Sequence, residues 1–383
     1  MTIKLYDEQS YAKEFDALVI KCEKTDSGYK TVLDKTLFFP EEGGQTSDTG
    51  TLGSAKVTGA YLDGDTIYHI TDSGFAEGET VHGIIDFAPR FRKMQNHTGE
   101  HIICGIAHAL FGYDNVGFHL GDDIVTMDLS GELTDGDVAM LEQKANEAVV
   151  ANHEIRARYL TDDEKDSLTY RAKGEIEGRV RLVEIGNVDA CACCAPHVKR
   201  TGEVGIIKIL DATRHRGGMR LSILCGFDAL CDYNKRCSET LRISNLLSVK
   251  QDECAQGVEK LISDMQNLRT KLSEKSKQLI LMQAEGAEKT DKAICQFFAD
   301  AGNDSLRLAA NVLKEKTSSL AVALSGTDEE GYTFVMAKNE GEISQTVKDA
   351  TNALSGRGGG KGTMASGRFN SSKKEIEDFF KNL

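Results

Sequence analysis

No stretch of this chain approaches the roughly 20 consecutive apolar residues that a membrane-spanning helix requires, so a helical membrane protein is excluded. The first residues, Met1-Thr2-Ile3-Lys4-Leu5-Tyr6-Asp7-Glu8, lack the basic flank and apolar core of a secretory signal, and a cytoplasmic location is expected. Positive charge is in deficit: 46 Lys and Arg stand against 60 Asp and Glu, a formal net charge of −14 with a pI near 5.2. Proteins that hold nucleic acid without specificity present the opposite sign to the phosphates, so any RNA contact is expected to be local. Proline is scarce, and Pro40, Pro89 and Pro196 each fall beside or inside a motif described below. A disulfide framework is not indicated either. The ten cysteines belong to a large chain, and Cys191, Cys193 and Cys194 are bunched in a way that suits a metal or a reactive site.

What is present divides by pattern. Residues 1–88 read as short alternating segments separated by turns, such as Asp63-Gly64 between Ala60-Tyr61-Leu62 and Thr66-Ile67-Tyr68-His69-Ile70, and they predict a small β-barrel-like subdomain. Inside it lies Phe39-Pro40-Glu41-Glu42-Gly43-Gly44-Gln45. Paired glycines let backbone amides approach a ligand and Gln45 offers both a donor and an acceptor, with a plain turn as the alternative.

After Pro89 the pattern is helical to about residue 112, with Ile102, Ile103, Ile106 and Leu110 as an apolar stripe. This helix carries Gln95-Asn96-His97-Thr98-Gly99-Glu100-His101. Histidines four apart share one helix face, one turn from each other, which is metal-ligand spacing. The pair is expected at the donor-rich N-terminal end. Strands at 123–129, 180–185, 204–210 and 219–224 and a helix at 135–152 give residues 89–237 an α+β character with antiparallel sheet. In Asp189-Ala190-Cys191-Ala192-Cys193-Cys194-Ala195-Pro196-His197 the pair Cys193 and His197 repeats the four-residue spacing. The two pairs together offer three imidazoles and one thiolate, a complete tetrahedral set for zinc, with Cys191 and Cys194 as rivals for the sulfur position.

Residues 238–285 are heptad-like. Cys254, Leu261 and Leu268 fall seven apart, with Val258, Met265, Leu272 and Leu279 in register, predicting a coiled coil or helical hairpin, or else one long helix packed on its own domain. Residues 286–383 read as a C-terminal α/β domain with a glycine-rich loop at 355–368. That loop can wrap a phosphate or ribose, with Arg357, Lys361 and Arg368 adding charge. It lacks Walker spacing, because Gly362 follows Lys361.

These motifs in this order, with Leu33-Asp34 before the first and Thr201-Gly202-Glu203-Val204-Gly205 after Cys193-x3-His197, resemble a known family. The chain is similar, nearly end to end, to the free-standing alanyl-tRNA editing proteins of the AlaX type in their long form, and to the editing and C-terminal portions of alanyl-tRNA synthetase. It departs from the pattern where Cys194, Ala195 and Pro196 replace a glycine pair and threonine, and where Glu42 replaces a third glycine. The resemblance implies a zinc-dependent aminoacyl-tRNA deacylase acting in trans on mischarged tRNA(Ala), chiefly the seryl and also the glycyl ester. It implies one Zn2+ per chain on His97, His101, Cys193 and His197, with Thr98 and Gln45 as catalytic residues and Gly43, Gly44, Gln45 and Thr98 holding the aminoacyl group. Thr98 would meet the serine hydroxyl. A site built around that hydrogen bond rejects an analogue lacking it by roughly 10⁴-fold or more. Arg357, Lys361 and Arg368 would bind tRNA, and the helical and C-terminal regions would form a homodimer.

Two other readings compete. His97-Thr98-Gly99-Glu100-His101 satisfies the inverted zinc-protease motif with Glu100 as base, though that reading leaves Cys193 and His197 without a task. Alternatively, the four ligands form a purely structural zinc site in an RNA-binding or assembly module. Arg90, Arg92 and Lys93, at the start of the metal helix, are candidates for the acceptor-stem phosphates, with a solvated basic face as the alternative.

Overall fold

A computed structural model describes residues 2–26, 28–121, 124–172 and 178–381. Asp123, the first residue of one expected strand, lies outside them. The chain forms two compact units, Met1–Thr240 and Leu241–Leu383, and its overall class is α+β.

In the first unit six strands close into a barrel, in the spatial order Glu14–Thr25, Gly28–Leu33, Thr66–Thr71, Ala55–Asp63, Gly50–Leu52 and Thr80–Ile85. The alternation in the first strand sets its faces: Phe15, Ala17 and Val19 turn inward while Glu14, Asp16 and Leu18 face out. Phe38, Phe39, Leu52, Val57 and Ile67 fill the interior.

Helix α1, Phe87–Phe111, follows the barrel. It begins two residues before Pro89, because a proline in the first turn forfeits no intrahelical hydrogen bond. His97 therefore sits roughly three turns into the helix. The expectation of a histidine pair at the donor-rich pole is corrected: the dipole effect fades within the first turn. α1 ends at Gly112, whose φ of 69° is the left-handed cap that glycine tolerates.

The basic residues at the head of α1 are also turned inward. Arg90 is fully buried, pairs with Asp48 and donates to the Leu37 carbonyl at 2.6 Å. Lys93 donates to the backbone carbonyls of Thr46 (3.1 Å) and Ser47 (2.5 Å). Arg92 pairs with Asp228 at 2.6 Å. Their reading as phosphate contacts gives way to a structural one, in which two of them tie the segment around Gln45 to the helix.

α1 packs among two antiparallel sheets. One has the order Ile207–His215, Gly218–Cys225, Val125–Leu129, Asn115–Leu120; the other is Ile155–Tyr159, Arg181–Ile185, Asp189–Ala192. Met94, Ile102, Ile103 and Ala107 join this core with Met127, Val183, Leu221 and Ile223. The strand expected at 204–210 starts only at Ile207, since Thr201–Val204 is a 3-10 turn that ends on Gly205 with φ 80°.

In the second unit a five-stranded sheet runs Ile294–Phe297, Ala321–Thr327, Gly331–Ala337, Met364–Phe369, Arg357–Lys361, with only the first pair parallel. Val322 and Leu324 face helices Ser344–Ala353 and Lys373–Lys381, while Ala321 and Ala323 face helix Asn303–Lys314. The expected helical region is broken by residues 248–253 before the helix Cys254–Glu285. Along that helix Leu261, Leu268 and Leu272 are 58%, 65% and 71% exposed, and only Ile280 and Ala284 near its end are buried.

The glycine-rich segment is not a loop. Arg357–Lys361 pairs with Met364–Phe369 as an edge hairpin. A Cβ at Gly360 or Gly367 would fall 2.3 Å or 2.2 Å from backbone oxygens of the facing strand, so here the glycines serve close strand pairing.

Candidate metal centre

α1 presents His97 and His101 on one face, their ring centroids 5.4 Å apart. Residues 193–198 bring Cys193 and His197 against that face. Ligand atoms of His97, His101, Cys193 and His197 all lie within 4.8 Å of one another, and Cys193 Sγ is 3.5 Å from His97 Nε2 and 3.4 Å from His197 Nε2. Cys191 lies instead beside His101 and Asp189, and Cys194 lies toward Gly43.

Each imidazole is held from behind. His97 Nδ1–H donates to Gln45 Oε1 at 2.9 Å, His101 Nδ1–H to Asp189 Oδ2 at 3.2 Å, and His197 Nδ1–H to Thr98 Oγ1 at 3.0 Å. With Nδ1 as donor, each Nε2 would turn its lone pair to an ion bound at the centre, and outer partners of this kind fix the tautomer of metal-binding histidines. Asp189 is in turn clamped by Arg171 through two bonds of 2.8 and 2.7 Å. Two glycines in α1 permit these approaches. A Cβ at Gly105 would fall 2.4 Å from the Val188 carbonyl oxygen, and one at Gly99 would fall 2.3 Å from Cys225 Sγ.

The electrostatics match this arrangement. Burial alone would raise the Cys193 thiol, but the adjacent imidazoles of His97 and His197 and its close contacts with His101 and His197 hold it well below the usual thiol range. Burial likewise works against a charged His101, yet the bonds to Asp189 and Cys193 raise it well above the ordinary histidine value. His197 is pushed down to about 3 by burial. Three neutral-capable imidazoles and a thiol that readily ionises are a donor set for a borderline-soft divalent ion, and the residues fit such an ion.

The cluster opens on a cavity of about 1100 Å³, lined among others by Glu42, Gly43, His97, His101, Tyr159 and Cys193. Thr98 and Gln45, both fully buried, are not on that lining. Glu100 accepts from Asn115 Nδ2 and from Cys104 Sγ, so one carboxylate oxygen is committed to neighbours in the fold. Arg357, Lys361 and Arg368 lie on the hairpin of the second unit. Asp189 and Arg171 were not anticipated. The need of each metal histidine for an outer acceptor is a general rule, but nothing local says which carboxylate meets it.

Against known proteins, residues 180–221 match the threonyl and alanyl tRNA synthetase second additional domain, and residues 290–383 match the DHHA1 domain. Over 96% of this chain and 94% of its own length, an alanyl-tRNA editing protein of Danio rerio is 27% identical. The alanyl-tRNA editing protein AlaX-L of Pyrococcus horikoshii is 26% identical over 99% of this chain and 97% of its own. The chain is a relative of the alanyl-tRNA editing proteins. It also aligns, over 98% of its length, with 42% of the alanine–tRNA ligase of Thermococcus kodakarensis at 31% identity, spanning less than half of that enzyme. Both half-sites of the cluster lie in the stretch shared with the editing proteins, and no described helix is long and apolar enough to cross a membrane.

Proposed function

We propose that this chain removes the wrong amino acid from mischarged tRNA(Ala), hydrolysing the seryl ester chiefly and the glycyl ester as well. The observation that carries this reading is the buried cluster of three back-bonded imidazoles and one thiol at the wall of a cavity about 1100 Å³ in volume. A purely structural site would not need that cavity. The volume suits a nucleoside bearing an amino acid, being near the upper end of small-molecule sites. Relatives of matching length named alanyl-tRNA editing proteins support the same substrate class.

In this reading His97, His101, Cys193 and His197 hold one Zn2+ per chain, which when bound polarises the ester carbonyl. Gln45, behind the cavity wall, orients His97, and its amide nitrogen, which has no partner among the described residues, is left for an aminoacyl group that reaches past His97. Thr98 orients His197 and keeps its hydroxyl proton available as a donor. Gly43 and Gly44 bring the backbone near the ester, and the hairpin with Arg357, Lys361 and Arg368 grips the tRNA. The exposed stripe of helix Cys254–Glu285 serves a homodimer.

The test is deacylation of seryl-, glycyl- and alanyl-tRNA(Ala) by purified protein whose zinc has been counted. One zinc per chain, cleavage of the first two esters, and loss of cleavage with zinc in His101→Ala are expected. Zinc-loaded protein that binds the tRNA and leaves its seryl ester at the buffer rate would establish a binding module instead. Full activity without metal would remove zinc from the reaction.

A further inference from the structure

Beside the centre, one carboxylate oxygen has no assigned task. Glu42 Oε2 is buried and has no hydrogen-bond partner, and no ion pair to Glu42 forms among the described residues. Leaving a buried carboxylate oxygen unpaired is costly, so this one calls for a cationic donor that no described residue supplies.

The local backbone says where that donor sits. Glu42 and Gln45 exchange both backbone hydrogen bonds, at 3.2 and 3.0 Å, across Gly43 and Gly44. The two glycines take φ of 63° and 83°, the left-handed pair that a two-residue hairpin turn demands. Residues facing each other in such an antiparallel pair project from the same side of the ribbon, with Cα atoms about 5.5 Å apart. Gln45 uses that side to reach His97. Glu42 therefore stands next to it on the same side, and it lines the cavity together with Gly43, His97 and Cys193. The turn is held rigidly: Leu120 N–H donates to the Gly44 carbonyl at 2.9 Å, and a Cβ at Gly44 would fall 2.6 Å from the Phe118 carbonyl oxygen.

We propose that Glu42 is the anchor for the α-ammonium group of the aminoacyl ester. This rests on the deacylase reading and deepens it. An ester whose carbonyl meets the centre from the cavity carries its amino group one carbon away, on the wall that Glu42 shares with His97 and Cys193. An α-amino group is largely protonated at neutral pH, and it supplies the charge and N–H donors that Glu42 Oε2 lacks. Seryl, glycyl and alanyl esters share that group, so Glu42 sets a requirement for a free amine and does not choose among side chains. Esters blocked at nitrogen are spared.

The test uses the full zinc-loaded chain and 3′-(L-seryl)amino-3′-deoxyadenosine, an amide that resists hydrolysis, beside its N-acetyl derivative, with binding read by calorimetry. The wild type is expected to prefer the free amine by on the order of tenfold or more, as for a hydrogen bond to a charged group. Glu42→Gln, of the same size, should abolish the preference while binding the acetylated compound as the wild type does. A wild type that binds both alike or neither, or a Glu42→Gln variant that keeps the preference or weakens both compounds equally, overturns the proposal. Deacylation of seryl- and N-acetylseryl-tRNA(Ala) by the same proteins separates the two claims. A wild type that shows the binding preference but cleaves neither ester retains the ammonium anchor and loses the deacylase reading.

Discussion

The three imidazoles of the cluster have three different partners behind them: an amide, a carboxylate and a hydroxyl. The carboxylate is the strongest acceptor, and it is itself clamped by Arg171. Replacing Asp189 by Asn should weaken zinc binding about 10- to 100-fold, the usual cost of losing such a partner, as read by competition with a chromophoric chelator. Thr98→Val should cost less zinc affinity. If it instead alters the ratio of seryl to glycyl cleavage and leaves zinc affinity intact, its hydroxyl serves the substrate and not His197. A histidine outside the cluster gives a pH prediction free of the metal. His69, inside the barrel, donates Nδ1–H to the Thr31 carbonyl at 3.1 Å and accepts from Thr36 Oγ1 at 2.8 Å, and burial lowers it to about 4. Between that value and the unfolded value near 6.5, the unfolded chain binds a proton that the folded one refuses. Stability therefore falls as pH drops through this window, by up to about 3 kcal/mol. Urea unfolding of His69→Gln and wild type at matched metal load should show that slope reduced in the variant.

Among the elements, α1 shows how packing overrides propensity. Exchanging a helix-interior glycine for alanine ordinarily gains about 1 kcal/mol. At Gly105 the new Cβ would lie 2.4 Å from the Val188 carbonyl oxygen and 2.7 Å from the Asp189 Cβ. Gly105→Ala should thus destabilise the protein by roughly 1–3 kcal/mol and lower zinc affinity as well, because the Asp189 turn is pushed off His101. Unfolding and chelator competition measure the two effects, and a stabilised variant with intact zinc binding would contradict the account. The existence of this helix was legible from spacing, but its apolar stripe only in part: Ile102 and Ile103 are buried, whereas Leu110, at the far end of the expected stripe, is 46% exposed. The start of the helix was not legible, because Pro89 suggested a boundary that the first turn of a helix does not impose. The glycine-rich segment misled for the opposite reason: glycines that suggest a loop also let two strand backbones approach, and only the presence of the facing strand decides between these uses.

For the molecule as a whole, every residue of the cluster and its outer partners lies within Met1–Thr240, a compact unit by itself. A chain of residues 1–247 is expected to hold zinc and to deacylate a short acceptor-stem hairpin, while KM for full-length tRNA rises by about tenfold through loss of phosphate contacts. Loss of zinc from the truncated chain would show that the centre depends on the second unit. In that unit, apolar side chains such as Leu268 and Leu272 lie open on a long helix. Sedimentation should show a dimer, and Leu268→Glu with Leu272→Glu should yield monomers without changing zinc content.

Spacing alone marked out the two pairs, and for His97 and His101 the turn of α1 enforces their nearness, whereas Cys193 and His197 share the interval without a helix to enforce it. The alternation of the first 88 residues fixed the strand character in the same way. What tertiary structure decided was everything that depends on residues far apart in the chain. The selection of Cys193 over Cys191 and Cys194 for the position facing the imidazoles, the carboxylate behind His101, and the inward fate of Arg90 and Lys93 follow from which surfaces meet. The Gly43-Gly44 turn belongs to both lists. Its glycines announced a tight turn, but only the folded barrel sets that turn beside α1, where Gln45 reaches His97 and Glu42 is left without a partner.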